Sequence, residues 1–181
     1  MKRWGCISFA IGLCGLALSE RAALCQIIDR LSPHEATTQT LAGKWIVIEY
    51  GRPYLKGRNL IGNIVRYGQM WRTGADEAPV LSTEGDLMIG ELRVPTGRYS
   101  LFTIPGKDHW TLVVNKVPNL MGRNGYNSQK DLGRVEMNVD MQAAVTEQFT
   151  IAIDKTTADR GVLKMSWASV VVSVPISAKQ P

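Results

Sequence analysis

The sequence predicts an all-β fold: a single antiparallel β-sandwich or jelly-roll-like domain with long irregular loops and little helix. Three observations carry the prediction. Roughly eight to ten short runs rich in Val, Ile, Thr and aromatic residues recur along the chain. Glycine or proline turns separate most of them. No stretch keeps a helical apolar period over three turns, and no internal repeat, low-complexity tract or second domain is visible.

Residues 1–25 read as a signal peptide. Lys2 and Arg3 give a positive start, and residues 4–18 form an apolar run of signal-core length, short for a membrane span. Ala23 and Cys25 allow cleavage before Gln26, and Ala17 and Ser19 offer an earlier site. Lipid anchoring needs a small residue before the acceptor cysteine, whereas Leu13 and Leu24 precede Cys14 and Cys25. All three cysteines (Cys6, Cys14, Cys25) lie in this segment, so the mature chain is expected to be cysteine-free. Disulfides, zinc thiolates and cysteine nucleophiles drop out together. The remaining 156 residues suit one domain with a sizeable core. They carry 18 basic and 15 acidic residues once Lys2, Arg3, Arg21 and Glu20 are removed, a net charge of +3 spread along the chain. No clustered basic face appears, so no nucleic-acid partner is assigned. The expected localisation is periplasmic or secreted.

Residues 26–35 form a lead-in, and the β-domain runs over 36–176. The lead-in ends in an edge strand. Residues 44–50 alternate, with Ile46, Ile48 and Tyr50 on one face and Trp45, Val47 and Glu49 on the other. Ala42-Gly43 makes the tight turn before them. Residues 79–83 and 86–89 read as short strands. Pro95-Thr96-Gly97 is a turn leading to a strand over 98–104, and a mostly apolar strand follows, ending at Asn115. Residues 119–130 are a second irregular loop. Strands are then expected over 132–139, 147–154, 161–167 and 169–176, with 155–160 as a hairpin loop and 177–181 as a tail.

The irregular segment 52–77 holds the candidate ligand-binding residues Arg52, Arg58, Trp71, Arg72, Asp76 and Glu77. Asn115 joins them at its strand end. A long segment of this kind inside a compact domain either carries function or closes the fold. Two readings follow for Arg72. It is a pocket wall that donates to a carboxylate, phosphate or sugar hydroxyl, with Trp71 as a stacking surface. Alternatively it is a buried brace paired to Asp76, Glu77 or Glu49, and the nearby acids favour this second reading. For Arg52 and Arg58 the ordinary reading is one sheet-edge cap and one solvated side chain. Asn115 is read first as satisfying a loop carbonyl.

Catalysis is hard to assemble. His34 and His109 are the only histidines, and no Gly-x-Ser-x-Gly elbow occurs. On a regular strand Asp76 and Glu77 face opposite ways, so a hydrolytic pair needs Glu49 or Asp131. His-x-x-x-His spacing is absent, and no metal or cofactor is assigned. A carboxylate-only calcium site from Asp76, Glu77 or Asp131 is a minor alternative.

Several motifs resemble a known family. They are Tyr50-Gly51-Arg52-Pro53, Lys56-Gly57-Arg58, Trp71-Arg72-Thr73-Gly74-Ala75-Asp76-Glu77, residues 97–106 (Gly-Arg-Tyr-Ser-Leu-Phe-Thr-Ile-Pro-Gly) and residues 110–116 (Trp-Thr-Leu-Val-Val-Asn-Lys). Their order and spacing resemble domain-of-unknown-function family 2911, bacterial secreted or envelope proteins, over residues 32–176. The chain departs from that pattern at Asp76, where asparagine is usual, and around Met121-Gly122-Arg123, which lacks the usual tryptophan before the glycine. The resemblance implies no reaction. An arginine-and-tryptophan loop in a chain lacking nucleophile, base and metal motifs makes the expected function a non-catalytic secreted or periplasmic binder of a small polar ligand or envelope component. The rivals are a carboxylate-dependent hydrolase of envelope sugars and a structural partner of an envelope protein.

Overall fold

The computed structural model of the chain describes residues 31–122 and 125–178. The expected signal peptide, its three cysteines, the start of the lead-in and the end of the tail lie outside the described residues. Among the described residues nine strands form one antiparallel sheet: β1 (His34–Leu41), β2 (Lys44–Gly51), β3 (Ala75–Thr83), β4 (Leu87–Ile89), β5 (Leu92–Val94), β6 (Gly97–Ile104), β7 (His109–Asn115), β8 (Asp131–Lys155) and β9 (Arg160–Ala178). Their order across the sheet is β1-β2-β3-β6-β7-β8-β9-β4-β5. The expected all-β antiparallel character holds. No helix among the described residues is long and apolar enough to cross a membrane.

The alternation read from β2 is the one observed: Ile46, Ile48 and Tyr50 are buried, while Trp45 and Glu49 are exposed. Ala42 and Gly43 both have positive φ (49° and 74°) and turn β1 directly into β2. The four strands expected after residue 131 are two. β8 and β9 pair from Asn138↔Ser173 to Lys155↔Gly161, with register shifts between Met141 and Thr150. Ala168 sits at φ 54° opposite Thr146. Such irregularities break the period of two without ending the strand, so the sequence pattern stops where the backbone continues. Strand β5 is also unexpected, because three residues with Arg93 between two apolar ones carry too little pattern.

Strand β1, at one sheet edge, is fastened to the far half of β8. Thr37 Oγ1 donates to the Ile151 carbonyl (2.5 Å) and Gln39 Nε2 to that of Ile153 (3.2 Å). Lys155 Nζ donates to Thr40 O (2.8 Å), and the Ile151 amide donates to Tyr50 Oη (2.9 Å). The sheet thus folds back over its own main core, which gathers Ile46, Ile48, Leu101, Leu112, Ile151, Leu163, Val172 and Ile176. A smaller cluster of Ala78, Phe102, Val113 and Leu120 lies apart from it. Alternate residues of β6 serve the two clusters, Leu101 the first and Phe102 the second.

The 116–130 loop is tied down by Asn115 and Asp131. Buried Asn115 donates from Nδ2 to Asn127 O (3.1 Å) and Asp131 Oδ1 (2.9 Å), and its Oδ1 accepts from the Val117 amide (3.0 Å). Asp131 Oδ2 accepts from Tyr126 Oη (2.8 Å) and Arg134 Nη2 (3.0 Å). Burial first, and then the hydrogen bond to the Asp131 carboxylate, push the Tyr126 hydroxyl above its ordinary value of 10.0, with Arg134 opposing. Burial and then Asp86 raise Tyr99 likewise. The folded chain therefore holds these protons more tightly than the unfolded one. Stability from this source is complete below about pH 10 and falls as pH rises through the raised values. Chemical denaturation between pH 9 and 11.5 should show that loss, with a shallower slope in Tyr126→Phe; equal slopes would contradict the assignment.

Candidate functional site

Residues 72–79 form an arch that leaves the sheet and returns to it. Val80 pairs with Ser100 on β6, and Trp71 bridges to Thr103 only three residues further along that strand. The Trp71 amide donates to Thr103 O (2.7 Å) and the Thr103 amide to Trp71 O (3.0 Å). The arch turns through positive φ at Thr73 (60°), Gly74 (152°) and Asp76 (60°). On the β2 side, Val80 pairs with Glu49 and Ala75 with Gly51, so two steps along β2 match five along β3. The surplus residues turn to the second irregular loop instead: Ala78 N donates to Leu120 O (2.9 Å) and Glu77 bridges to Met121. Pro79 has no N–H, so leaving the ladder there forfeits no donor.

Trp71 anchors the arch. Its ring stacks on Trp167 (5.7 Å, 16°) and meets Phe149 (5.2 Å) and Trp110 (6.1 Å) edge-on. Such aromatic pairs contribute about 0.5–1.5 kcal/mol each beyond their burial. Thr73 is fully buried, and its hydroxyl meets that of Thr103 at 3.1 Å.

The structure separates the expected site residues. Arg72 is exposed, and Nε donates to Gly74 O at 3.3 Å. It makes no ion pair among the described residues, which corrects the buried-brace reading. Arg72 stands outside because the positive-φ turn after it carries the chain, not the side chain, inward. The brace is Arg52: Nε donates to Phe149 O (3.0 Å), Nη2 to Thr150 Oγ1 (2.8 Å) and Nη1 to Glu35. Arg58 is half committed, donating to Leu55 O (2.9 Å) and Tyr54 O (2.8 Å). Asn115 is away from the arch and is spent on its loop. Within the same segment Leu60–Ile64 form a hydrogen-bonded loop, with Gly62 at φ 95°.

Arg58, Arg66, Trp71, Arg72, Asp76 and Met121 are among the residues lining an open cleft of about 920 Å³. Its lining carries three arginines against one acid. Arg66 was not singled out in the sequence, although it sits between Val65 and Tyr67 in the same irregular stretch. On the other side of the arch, a second cleft of about 470 Å³ is lined by His34, Tyr50, Glu77 and Arg98, with Met121 shared between the two.

Asp76 and Glu77 do not face opposite ways. The left-handed backbone at Asp76 cancels the alternation, and a carboxylate oxygen of each lies within 4.8 Å of a ring nitrogen of His34 and of the other. His34, read as part of the lead-in, opens β1 directly opposite Gly51. Of the two carboxylates named to complete a hydrolytic pair, Glu49 lines this second cleft together with Glu77, and Asp131 does not. Asp131 holds the loop, and Glu49 lies 3.8 Å from Arg98 on an exposed face.

An all-β antiparallel sheet with an arginine-lined cleft beside its arch is the class that fold and site define. A family model described as "Protein of unknown function (DUF2911)" matches residues 32–176, and the chain belongs to that family. No curated protein and no solved structure matches it.

The two arginines should behave oppositely. Arg72→Ala should cost under about 1 kcal/mol, as for an exposed side chain. Arg52→Ala, which removes charged hydrogen bonds to β8 and Glu35, should cost about 2–3 kcal/mol. Parallel thermal melts check this; the reverse order would restore Arg72 as the brace.

Proposed function

We propose that this protein is an exported binder of a small anionic ligand, held in the larger cleft against Arg72. The observation that carries the reading is guanidinium charge that no carboxylate among the described residues neutralises. Arg66 and Arg72 line the cleft, and neither guanidinium makes an ion pair among the described residues. Planar guanidinium donors suit the oxygens of a carboxylate or phosphate. Trp71 and Met70 add an apolar wall for the body of such a ligand. The arch backbone is held by Trp71 below and by the 120–121 loop beside it, which limits the backbone ordering that binding at Arg72 would require. An anionic envelope sugar or lipid headgroup offers the required chemistry, as does a free organic acid. Export rests on the N-terminal segment alone.

Calorimetric titration in metal-free buffer with inorganic phosphate, citrate and glucose 6-phosphate, and with glucose as the neutral control, tests the reading. At least one anion should bind and glucose should not. The Arg66→Ala/Arg72→Ala double variant should weaken binding about tenfold or more while melting near wild type. Binding of none of the anions, or equal binding by the double variant, contradicts the proposal. For export, the chain recovered outside the cytoplasm should have the intact mass of one starting at Gln26; a retained Met1 would remove that part.

A further inference from the structure

We infer that His34, Asp76 and Glu77 form a binding site for a divalent transition-metal ion, with Zn²⁺ the best-fitting class. The site is separate from the arginine-rimmed anion site, although Asp76 sits at the boundary of both. His34 Nδ1 lies 3.0 Å from the Ser32 carbonyl oxygen. A carbonyl only accepts, so Nδ1 carries the proton and donates it. That bond fixes the ring as a metal-ligating histidine is usually fixed, with a backbone carbonyl orienting it and setting its tautomer. In the neutral ring, Nε2 then presents a lone pair, and it points at Glu77 Oε2 from 2.9 Å. A proton on Nε2 or a metal ion between the two atoms satisfies this contact. Asp76 brings a further carboxylate oxygen into the group, and the three donors lie within 4.8 Å of one another.

A second observation is independent of this geometry. Asp76 Oδ2 is buried and accepts no hydrogen bond among the described residues. A buried carboxylate oxygen without a partner is costly, and such atoms are rare in folded proteins. A cation on this carboxylate would offset that cost. The backbone supports the same reading, since holding Asp76 at φ 60° is what brings its carboxylate to the side of Glu77.

The donor set selects the ion. One imidazole and two carboxylates suit Zn²⁺ at about 2.0–2.2 Å, with a fourth position left for water or ligand. Calcium prefers six to eight oxygen ligands, so an imidazole in the set disfavours it. The carboxylate-only calcium alternative built on Asp131 fails because both Asp131 oxygens accept hydrogen bonds from the loop and from Arg134.

The experiment is a titration of the chelator-stripped full chain with Zn²⁺, and separately with Ca²⁺, by calorimetry with stoichiometry checked by elemental analysis. The variants are Asp76→Asn, Glu77→Gln and His34→Ala, with His109→Ala as the control for adventitious histidine binding. Wild type and His109→Ala should bind one Zn²⁺ per chain with equal affinity, more tightly than Ca²⁺. Each site variant should weaken binding by at least about tenfold to a hundredfold, the range already reached by losing an outer partner of a ligand. Asp76→Asn keeps the side-chain shape and keeps the test independent of folding. Without metal it should melt at or above the wild-type temperature, because it removes an uncompensated buried charge, and its Zn²⁺-induced rise in melting temperature should vanish. The inference is overturned if wild type takes up no stoichiometric Zn²⁺, if the site variants bind as wild type does, or if His109→Ala abolishes binding. A metal-free Asp76→Asn chain that melts well below wild type would also overturn it, by showing that the carboxylate is bonded within the fold.

Discussion

The site depends on how closely backbone approaches backbone at Gly51. This residue pairs with His34 on β1 and with Ala75 at the start of β3. A Cβ there would lie 2.4 Å from the Ala75 carbonyl oxygen and 3.2 Å from His34 Cε1. The first distance is far inside van der Waals contact, and the atom met is backbone, which cannot swing aside. Gly74 repeats the condition from the other side, since its Cβ would lie 2.9 Å from the Gly51 carbonyl oxygen. Glycine at both positions lets β1, β2 and the arch come together at this separation, with His34, Asp76 and Glu77 on one wall.

The arch is strained where it is functional in this account. Non-glycine residues held at positive φ, here Thr73 and Asp76, cost on the order of 1–3 kcal/mol each. The compensation lies directly beneath, in the rings around Trp71 and the paired hydroxyls of Thr73 and Thr103. Arg52 adds a clamp from the end of β2 to the far half of β8, so the arch's footing is tied to the closure of the whole sheet. The result is a rigid base with charged side chains on its outer surface, an arrangement suited to recognition without large motion.

Much of the fold was legible in the sequence because it obeys local rules. β2 alternates cleanly, the Ala42-Gly43 turn requires two positive φ values and has them, and β6 and β7 carry apolar runs bounded by turns. The hairpin around residues 155–160 also followed from pattern. The long strands did not, because bulges near Thr146 and Ala168 reset the alternation that a sequence reader follows. The site was legible as a segment but not as a geometry. Arg72 reads as a brace because Asp76 and Glu77 are close in sequence, yet the left-handed turns between them send the side chains different ways. His34 could not be found at all without the pairing that sets it across from Gly51. Its neighbours in the chain are ordinary lead-in residues, and only the fold brings Glu77, 43 residues away, to its ring.

The central claim, that close approach at Gly51 builds the site, is tested most directly by the thermal melt of Gly51→Ala. The added methyl must push the Ala75 carbonyl away, at a cost of about 1–3 kcal/mol for overpacking. In a domain of this size that should lower the melting temperature by roughly 2–12 °C. A Gly51→Ala chain that melts with the wild type would mean that β2 and the arch do not meet as described here.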